Sequence, residues 1–105
     1  MHDPHLPVPL ADEATLHAAM LLEAERVLGL LRSAAARMVT AESCTGGLVA
    51  SALTHFPGSS DMTEGGLVTY SNTMKQALLG VSDETLSRHG AVSEPTVLAM
   101  AHGAL

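Results

Sequence analysis

Two short segments of the sequence contain residue types that could perform nucleophilic chemistry. Ser43 follows a short apolar run and is succeeded by four residues that lead into a predicted helix: Cys44, Thr45, Gly46 and Gly47. The first N–H groups of a helix are unpaired and lie at the positive end of its dipole. A serine there could attack a carbonyl carbon while these groups hold the oxyanion, or the turn could hold a phosphate. An ordinary turn, capped by Ser43 or Thr45, explains the pattern equally well.

Lys75 is the only lysine of the sequence and lies five residues after the only tyrosine, Tyr70. Burial disfavours the charged form of a lysine, and a neutral amine can take a proton from a serine hydroxyl, which a guanidinium cannot do in practice. Lys75 is therefore a candidate general base, and Tyr70 could orient its amine or relay a proton. The alternatives are a solvated helix residue for Lys75 and half-buried packing for Tyr70.

Other reactive residue types give weaker signals. Cys44 stands beside Ser43, but we expect a small buried thiol there rather than the nucleophile. The histidines show no zinc-like spacing, and although His2, Asp3 and His5 could bind a metal adventitiously, no metal site and no cofactor are assigned. The glycine motifs of nucleoside triphosphate and dinucleotide sites do not occur in the sequence.

Apolar spacing and helix breakers predict the elements that carry these residues. Asp12 is the candidate N-cap of a long helix that reaches about Ala36. Its apolar face is formed by residues spaced by three and four: Leu16, Met20, Ala24, Val27, Leu28, Leu31 and Ala35. A buried strand over 38–41, a short helix over 48–53 and a loop over 55–60 follow, and then a second strand over 66–70. Residues 1–10 contain three prolines and are expected to be an extended tail to a domain over 11–105.

Serine and glycine mark the boundaries of the remaining helices. Ser71 is predicted to cap a helix that continues to about Leu79 and is closed by Gly80. The next helix begins at residues 82–84 and ends at Gly90, and residues 93–95 place a serine, a glutamate and a proline at the start of the last one. Glu94, and likewise Glu42 ahead of the short helix, suit a cap or helix-start role rather than catalysis.

Composition limits the class of protein. A chain of 105 residues with 47% hydrophobic content forms one domain, although tyrosine and phenylalanine occur once each and tryptophan is absent. Eleven acidic and five scattered basic residues give a formal net charge of −6, which disfavours nucleic acid and anionic membranes as partners. The single cysteine cannot form an internal disulfide. With neither a signal peptide nor a membrane-spanning stretch recognisable, we expect a cytoplasmic protein.

Four blocks of the sequence together resemble the C-terminal domain of CinA (competence/damage-inducible protein A) and its stand-alone relatives, which are nicotinamide-nucleotide amidohydrolases. The blocks are residues 40–47, residues 68–72 with Lys75, residues 79–81 and residues 89–94, in register from about Leu21 to Leu105. The family's catalytic serine, tyrosine and lysine correspond to Ser43, Tyr70 and Lys75.

This resemblance implies an α/β fold with three α/β/α layers and a step of pyridine-nucleotide salvage. In that reaction the carboxamide of nicotinamide mononucleotide is hydrolysed to nicotinate mononucleotide and ammonia, without metal. Ser43 would attack the carboxamide carbon, and Lys75 with Tyr70 would activate the hydroxyl and deliver a proton to ammonia. Five further residues are expected to bind the substrate, four of them through the backbone of the turn: Cys44, Thr45, Gly46, Gly47 and Asn72.

The resemblance also predicts a departure from the family. Its members continue past the last helix into further strands and helices with a Thr-Gly-Ile-Ala-Gly-Pro-type loop, and no such segment occurs here. We expect a truncated relative, a fragment, or a homo-oligomer in which association makes good the gap. The alternative function is an impaired homologue that acts as a nucleotide-binding or protein-interaction module.

Overall fold

The computed structural model describes residues 12–105, so the predicted tail and the residues His2, Asp3 and His5 lie outside the described residues. Helices and strands alternate over the first half of the described chain, and three helices follow. The elements are α1 (Glu13–Ser33), β1 (Met38–Glu42), α2 (Leu48–Thr54), a 3₁₀ turn (Ser59–Asp61), β2 (Thr63–Val68), α3 (Asn72–Leu79), α4 (Asp83–His89) and α5 (Glu94–Ala104).

Within residues 12–105, the sheet consists of β1 and β2, which pair in parallel with α2 as the crossover between them. Ala41 lies opposite Leu67 and Glu42 opposite Val68. Because the strands are parallel, their carboxyl ends meet at one edge of the sheet. The segments that begin at Ser43 and at residue 69 are therefore neighbours, although they are distant in sequence.

Helices cover both faces of this sheet and bury separate apolar clusters. On one face, α1 and α2 enclose Ala24, Leu28, Ala52, Leu53 and Met62. On the other face, α3, α4 and α5 enclose Leu79, Val81, Leu86 and Met100, with Ala41 and Leu67 of the strands packed against them. The predicted three-layer α/β/α arrangement is confirmed.

The predicted helix starts are also confirmed, since each serine proposed as a cap makes the expected bond. The side chains of Ser71, Ser82 and Ser93 accept from the backbone N–H of Met74, Thr85 and Thr96, respectively. Gly80 ends α3 in the left-handed conformation, at φ 65°. These local signals fix where α3 begins, and so where Lys75 lies within it.

Some boundaries differ from the prediction. α1 ends at Ser33, and Ala35, which the apolar spacing assigns to its buried face, takes a φ of 51° in the turn toward β1. Apolar spacing cannot show where a chain must leave a helix in order to reach its strand. β2 begins at Thr63 and ends at Val68, so Tyr70 follows the strand instead of ending it.

Gly66 allows α2 to approach the sheet closely. A Cβ at this position would collide with Thr40 Oγ1 of the neighbouring strand and would lie 2.8 Å from Ala50 Cβ of α2. The absence of a side chain therefore permits the contact between β1, β2 and α2. None of the helices within residues 12–105 is long and apolar enough to cross a membrane.

Candidate active site

The side chains of Ser43 and Lys75 meet at the edge where both strands end. Lys75 Nζ lies 3.0 Å from Ser43 Oγ, 2.9 Å from the carbonyl oxygen of Thr69 and 2.8 Å from that of Tyr70. Lys75 is 0% exposed, so the alternative of a solvated helix residue is wrong. The turn after β1 supplies the hydroxyl, α3 supplies the amine, and the segment between β2 and α3 supplies the two carbonyl groups.

These three neighbours of the amine differ in what they can exchange. The carbonyl oxygens of Thr69 and Tyr70 only accept hydrogen bonds, so two N–H groups of the amine must point at them. The remaining position on Nζ faces Ser43 Oγ, and a hydroxyl can both donate and accept. A neutral amine would direct its lone pair at the serine hydroxyl, and an ammonium would direct its third N–H there. Proton transfer along this line requires no rearrangement of the lysine.

Tyr70 contributes to this arrangement through its main chain. Its carbonyl oxygen accepts from Lys75 Nζ and lies 3.4 Å from Ser43 Oγ, a long distance for a hydroxyl bond. Tyr70 as a whole is 75% exposed, so the alternative of half-buried packing is wrong. The predicted catalytic role of the phenol stays a prediction, because the phenol points to solvent while the carbonyl contacts the amine.

Glu42, the last residue of β1, holds the turn that follows it. Its Oε1 accepts from Thr45 Oγ1 at 2.8 Å and from the backbone N–H of Val49 at 2.9 Å. Its Oε2 accepts from Thr40 Oγ1 at 3.1 Å and from the backbone N–H of Ala50 at 3.0 Å. Glu42, and not Ser43 or Thr45, therefore caps α2, as the helix-start interpretation of this residue predicts.

The ionisation of Glu42 reflects the same contacts. Burial raises the pKa of its carboxyl group, but the four donated hydrogen bonds, from Thr45, Val49, Ala50 and Thr40, outweigh burial. The pKa of Glu42 is therefore held below the ordinary value for a glutamate. A buried carboxylate whose two oxygens each accept two hydrogen bonds is stable as an anion at neutral pH.

Some backbone N–H groups of the turn are already engaged. The N–H of Gly46 donates to the Ser43 carbonyl oxygen, and the N–H of Leu48 donates to that of Thr45. Within the described part of the chain, the N–H groups of Cys44, Thr45 and Gly47 donate no hydrogen bond. These three groups remain free to hold an oxyanion, whereas the first turn of α2 is occupied by Glu42.

The other predicted binding residues lie around the serine to different degrees. Cys44 is exposed, which corrects the expectation of a buried thiol, because the chain has left the sheet at this point. Ser43, Cys44 and Thr45 border an open cleft of about 450 Å³, whose far wall is apolar and includes Val97. Asn72 is exposed at the first position of α3 and does not border this cleft.

Sequence reasoning did not single out Thr69, and it gave Glu42 only a minor role. Thr69 acts through a carbonyl oxygen, which no side-chain pattern reveals. For Glu42 a signal existed, because Gly47 at the start of α2 offers no capping side chain and the nearest acid before it is Glu42. A helix start without its own cap indicates that a more distant side chain must accept from its first N–H groups.

Comparison with known proteins identifies the family of the chain. The CinA C-terminal domain family matches residues 22–105. Nicotinamide-nucleotide amidohydrolase PncC of Escherichia coli K12 is 54% identical over 81 residues, which are 77% of this chain and 49% of that protein. A CinA-like protein of Prochlorococcus marinus is 55% identical over 78 residues, 74% of this chain and 18% of that protein.

Solved structures of competence/damage-inducible proteins are also similar to this chain. A competence/damage inducible protein, CihA, from Agrobacterium tumefaciens has a TM-score of 0.80 and 44% identity, covering 93% of this chain and 56% of that chain. The competence damage-inducible protein A of Klebsiella pneumoniae also has a TM-score of 0.80 and is 38% identical. The match covers 82% of this chain and 53% of the Klebsiella chain. The chain thus spans about half of the PncC protein and of these structures. It belongs to the CinA C-terminal domain family.

Proposed function

We propose that the chain carries the nucleophile and the general base of a nicotinamide-nucleotide amidohydrolase. The substrate is nicotinamide mononucleotide, and its carboxamide is hydrolysed to give nicotinate mononucleotide and ammonia. The observation that carries this proposal is the 3.0 Å contact between Lys75 Nζ and Ser43 Oγ, with the amine buried and otherwise bonded to main-chain carbonyls. The PncC relative, which is 54% identical over 81 residues, bears the name of this activity.

The first half of the reaction acylates the serine. As Ser43 Oγ bonds to the carboxamide carbon, its proton passes to Lys75 Nζ, and the carbonyl oxygen becomes an oxyanion. The N–H groups of Cys44, Thr45 and Gly47 are the donors nearest in sequence to this developing charge. The carbon–nitrogen bond then breaks, and the proton on Nζ passes to the leaving nitrogen, which departs as ammonia.

The second half restores the enzyme. Water attacks the ester carbon and gives one proton to Lys75 Nζ. The bond to Ser43 Oγ breaks, Oγ takes this proton back, and the product carboxyl group loses the second proton of the water to solvent and leaves as nicotinate mononucleotide. The phenol of Tyr70 is exposed to solvent while its carbonyl group contacts the amine, so the side chain would have to turn toward Nζ in order to relay protons to the leaving group. One lysine thus serves as base and then acid in both halves.

Ammonia release from nicotinamide mononucleotide tests the proposal. The wild-type chain should produce ammonia and nicotinate mononucleotide in equal amounts, and S43A should abolish both. The matched control is C44A, which removes the adjacent exposed thiol and should retain most of the activity. A wild-type chain without turnover, or a C44A variant less active than S43A, would contradict the assignment.

A second function is favoured by one observation. Val97 and Leu98 on α5 are 58% and 53% exposed, and Val92 just before this helix is exposed as well. Exposed apolar side chains close together in the chain are a feature of interaction surfaces. In this alternative the chain acts as a nucleotide-binding or protein-interaction module. Binding of nicotinamide mononucleotide by calorimetry, without ammonia release and without loss on substitution of Ser43, would support it.

A further inference from the structure

Hydrogen bonds of Glu42 hold both ends of the turn that carries Ser43. Its main-chain carbonyl oxygen accepts from the N–H of Thr69 at 2.8 Å, which ties the end of β1 to the chain beyond β2. Its side chain accepts from the N–H groups of Val49 and Ala50 in the first turn of α2. Residues 43–47 therefore form a short bridge, and both of its ends are held by the same residue.

The bonds of Glu42 replace a cap that α2 lacks. Gly47 occupies the N-cap position at φ 98° and offers no side chain to the first-turn N–H groups. The Glu42 carboxylate supplies this acceptor to the N–H groups of Val49 and Ala50, which follow it by seven and eight residues. Each of its oxygens receives one backbone N–H and one hydroxyl, from Thr45 or Thr40. The direction in which α2 leaves the turn is thus set by Glu42.

We infer that Glu42 is a positioning residue for catalysis, which holds Ser43 and the free N–H groups of the turn in the geometry that attack requires. This inference rests on the proposed function. Glu42 acts through the turn and does not touch the reacting atoms, because all four hydrogen bonds of its side chain are made inside the protein. Small displacements of reacting groups are costly, and about 1 Å can reduce a rate by about 10²-fold.

Substitution by glutamine tests the role with little change of shape. In E42Q an NH₂ group replaces one oxygen and faces one hydroxyl and one backbone N–H. The hydroxyl can rotate and accept, but the N–H of Val49 or Ala50 loses its acceptor. We expect kcat to fall by about 10²-fold while KM changes by less than about threefold, because the serine and the free N–H groups of the turn act mainly on the transition state. E42D, which restores the charge on a shorter side chain, should recover part of kcat.

The matched control is E84Q, which neutralises an exposed glutamate paired with Arg88 on α4. E84Q should leave kcat, KM and the amide NMR resonances of residues 43–50 unchanged. Amide NMR provides a readout independent of turnover. In E42Q the resonances of residues 43–50 should shift, while those of α4 and α5 should stay in place, which shows that the protein remains folded.

The outcomes separate this inference from the proposed function. If the wild-type chain releases no ammonia, the proposed function fails, and the amide spectra of residues 43–50 alone decide whether Glu42 holds the turn. An E42Q variant with unchanged resonances in this segment would overturn the inference. So would an E42Q variant whose kcat lies within about twofold of wild type, or one that loses activity only through KM.

Discussion

At the level of single residues, the environment of Lys75 would allow one side chain to serve in both directions of the proposed proton transfer. Two of its three partners, the carbonyl oxygens of Thr69 and Tyr70, keep the same role whether the amine is neutral or charged. Only the contact between Nζ and Ser43 Oγ would change, because a neutral amine accepts a proton there and an ammonium donates one. The carbonyl groups therefore orient the amine without competing for a proton exchanged with Ser43.

The first prediction concerns Lys75 itself. K75R keeps a positive charge but cannot accept a proton, so we expect its loss of ammonia release to match that of K75A, at about 10² to 10⁴-fold. The measurement is the initial rate at saturating nicotinamide mononucleotide, with thermal unfolding as the control for folding. Added propylamine should restore part of the rate of K75A, because it can occupy the space of the missing amine.

An active K75R variant would contradict the role of base. In that case Lys75 would act through its positive charge alone, which a guanidinium also carries. Failure of propylamine rescue counts against the base only where K75A keeps its folded structure, which the unfolding measurement reports.

The second prediction separates the two parts of Tyr70. Y70F retains the carbonyl group that orients Lys75 but removes the phenol. We expect Ser43 to be labelled by phenylmethanesulfonyl fluoride at the wild-type rate, while ammonia release falls by about 10²-fold. Mass spectrometry and the ammonia assay give the two rates. Equal activity of Y70F and wild type would restrict the contribution of Tyr70 to its main chain.

At the level of elements, the start of α2 depends on a carboxylate from outside the helix. The third prediction follows from its ionisation. Because the pKa of Glu42 is lower in the folded protein than its ordinary value of 4.5, the carboxylate stabilises the fold above that value. This stabilisation is lost as the pH falls through the folded-state pKa, when the group becomes protonated.

Chemical denaturation at a series of pH values measures this effect. The free energy of unfolding of wild type should exceed that of E42Q by about 1–3 kcal/mol at neutral pH, as for a buried polar group that loses its acceptor. The difference should shrink in acid. The pKa of Asp12, the N-cap of α1, is also lowered by the N–H of Thr15, but it is present in both proteins and cancels. A difference that grows in acid would contradict the assignment.

The fourth prediction compares two glycines. In G66A the new methyl group would collide with Thr40 Oγ1 and approach Ala50 Cβ, which should destabilise the fold by about 1–3 kcal/mol. G29A is the matched control, since Gly29 lies inside α1 and a Cβ there would meet no heavy atom within 4 Å. There alanine should stabilise the helix by about 0.5–1 kcal/mol. Thermal or urea unfolding of both variants checks the opposite signs.

The sequence predicts these elements to different degrees. Ser71, Ser82 and Ser93 mark helix starts correctly because capping is a local interaction between residues three apart. The predicted bounds of β2 are less accurate. The limits of a strand depend on its pairing with β1, and no local sequence signal encodes this pairing. The contact of Ser43 with Lys75 is predicted from residue types and family resemblance. The carbonyl groups of residues 69 and 70 are not, because every residue has one.

At the level of the whole molecule, α5 exposes Leu98, an apolar side chain that does not border the cleft beside Ser43 and is available for association. The fifth prediction is that the protein forms a homo-oligomer through this surface at micromolar concentration, since burial of exposed apolar area is favourable. L98E, which introduces a charge at a 53% exposed position, should shift the chain toward monomer. L22E on α1, at a 70% exposed position, is the control and should leave association unchanged.

Sedimentation velocity measures the association. A well-folded wild-type monomer over the whole concentration range would contradict the prediction. Equal effects of L98E and L22E would place the interface elsewhere, and circular dichroism confirms that both variants keep their helices.

The contact between Ser43 and Lys75 joins residues that are 32 positions apart, and it forms only where parallel strands end together. Parallel pairing requires a long loop to close before the contacts between the strands stabilise the chain, so it forms later than local helices. During refolding, α1 and α5 can therefore acquire helical structure while Ser43 and Lys75 are still apart. If Ser43 is the proposed nucleophile, its reactivity becomes a kinetic marker for completion of the sheet and distinguishes a collapsed helical chain from the finished fold.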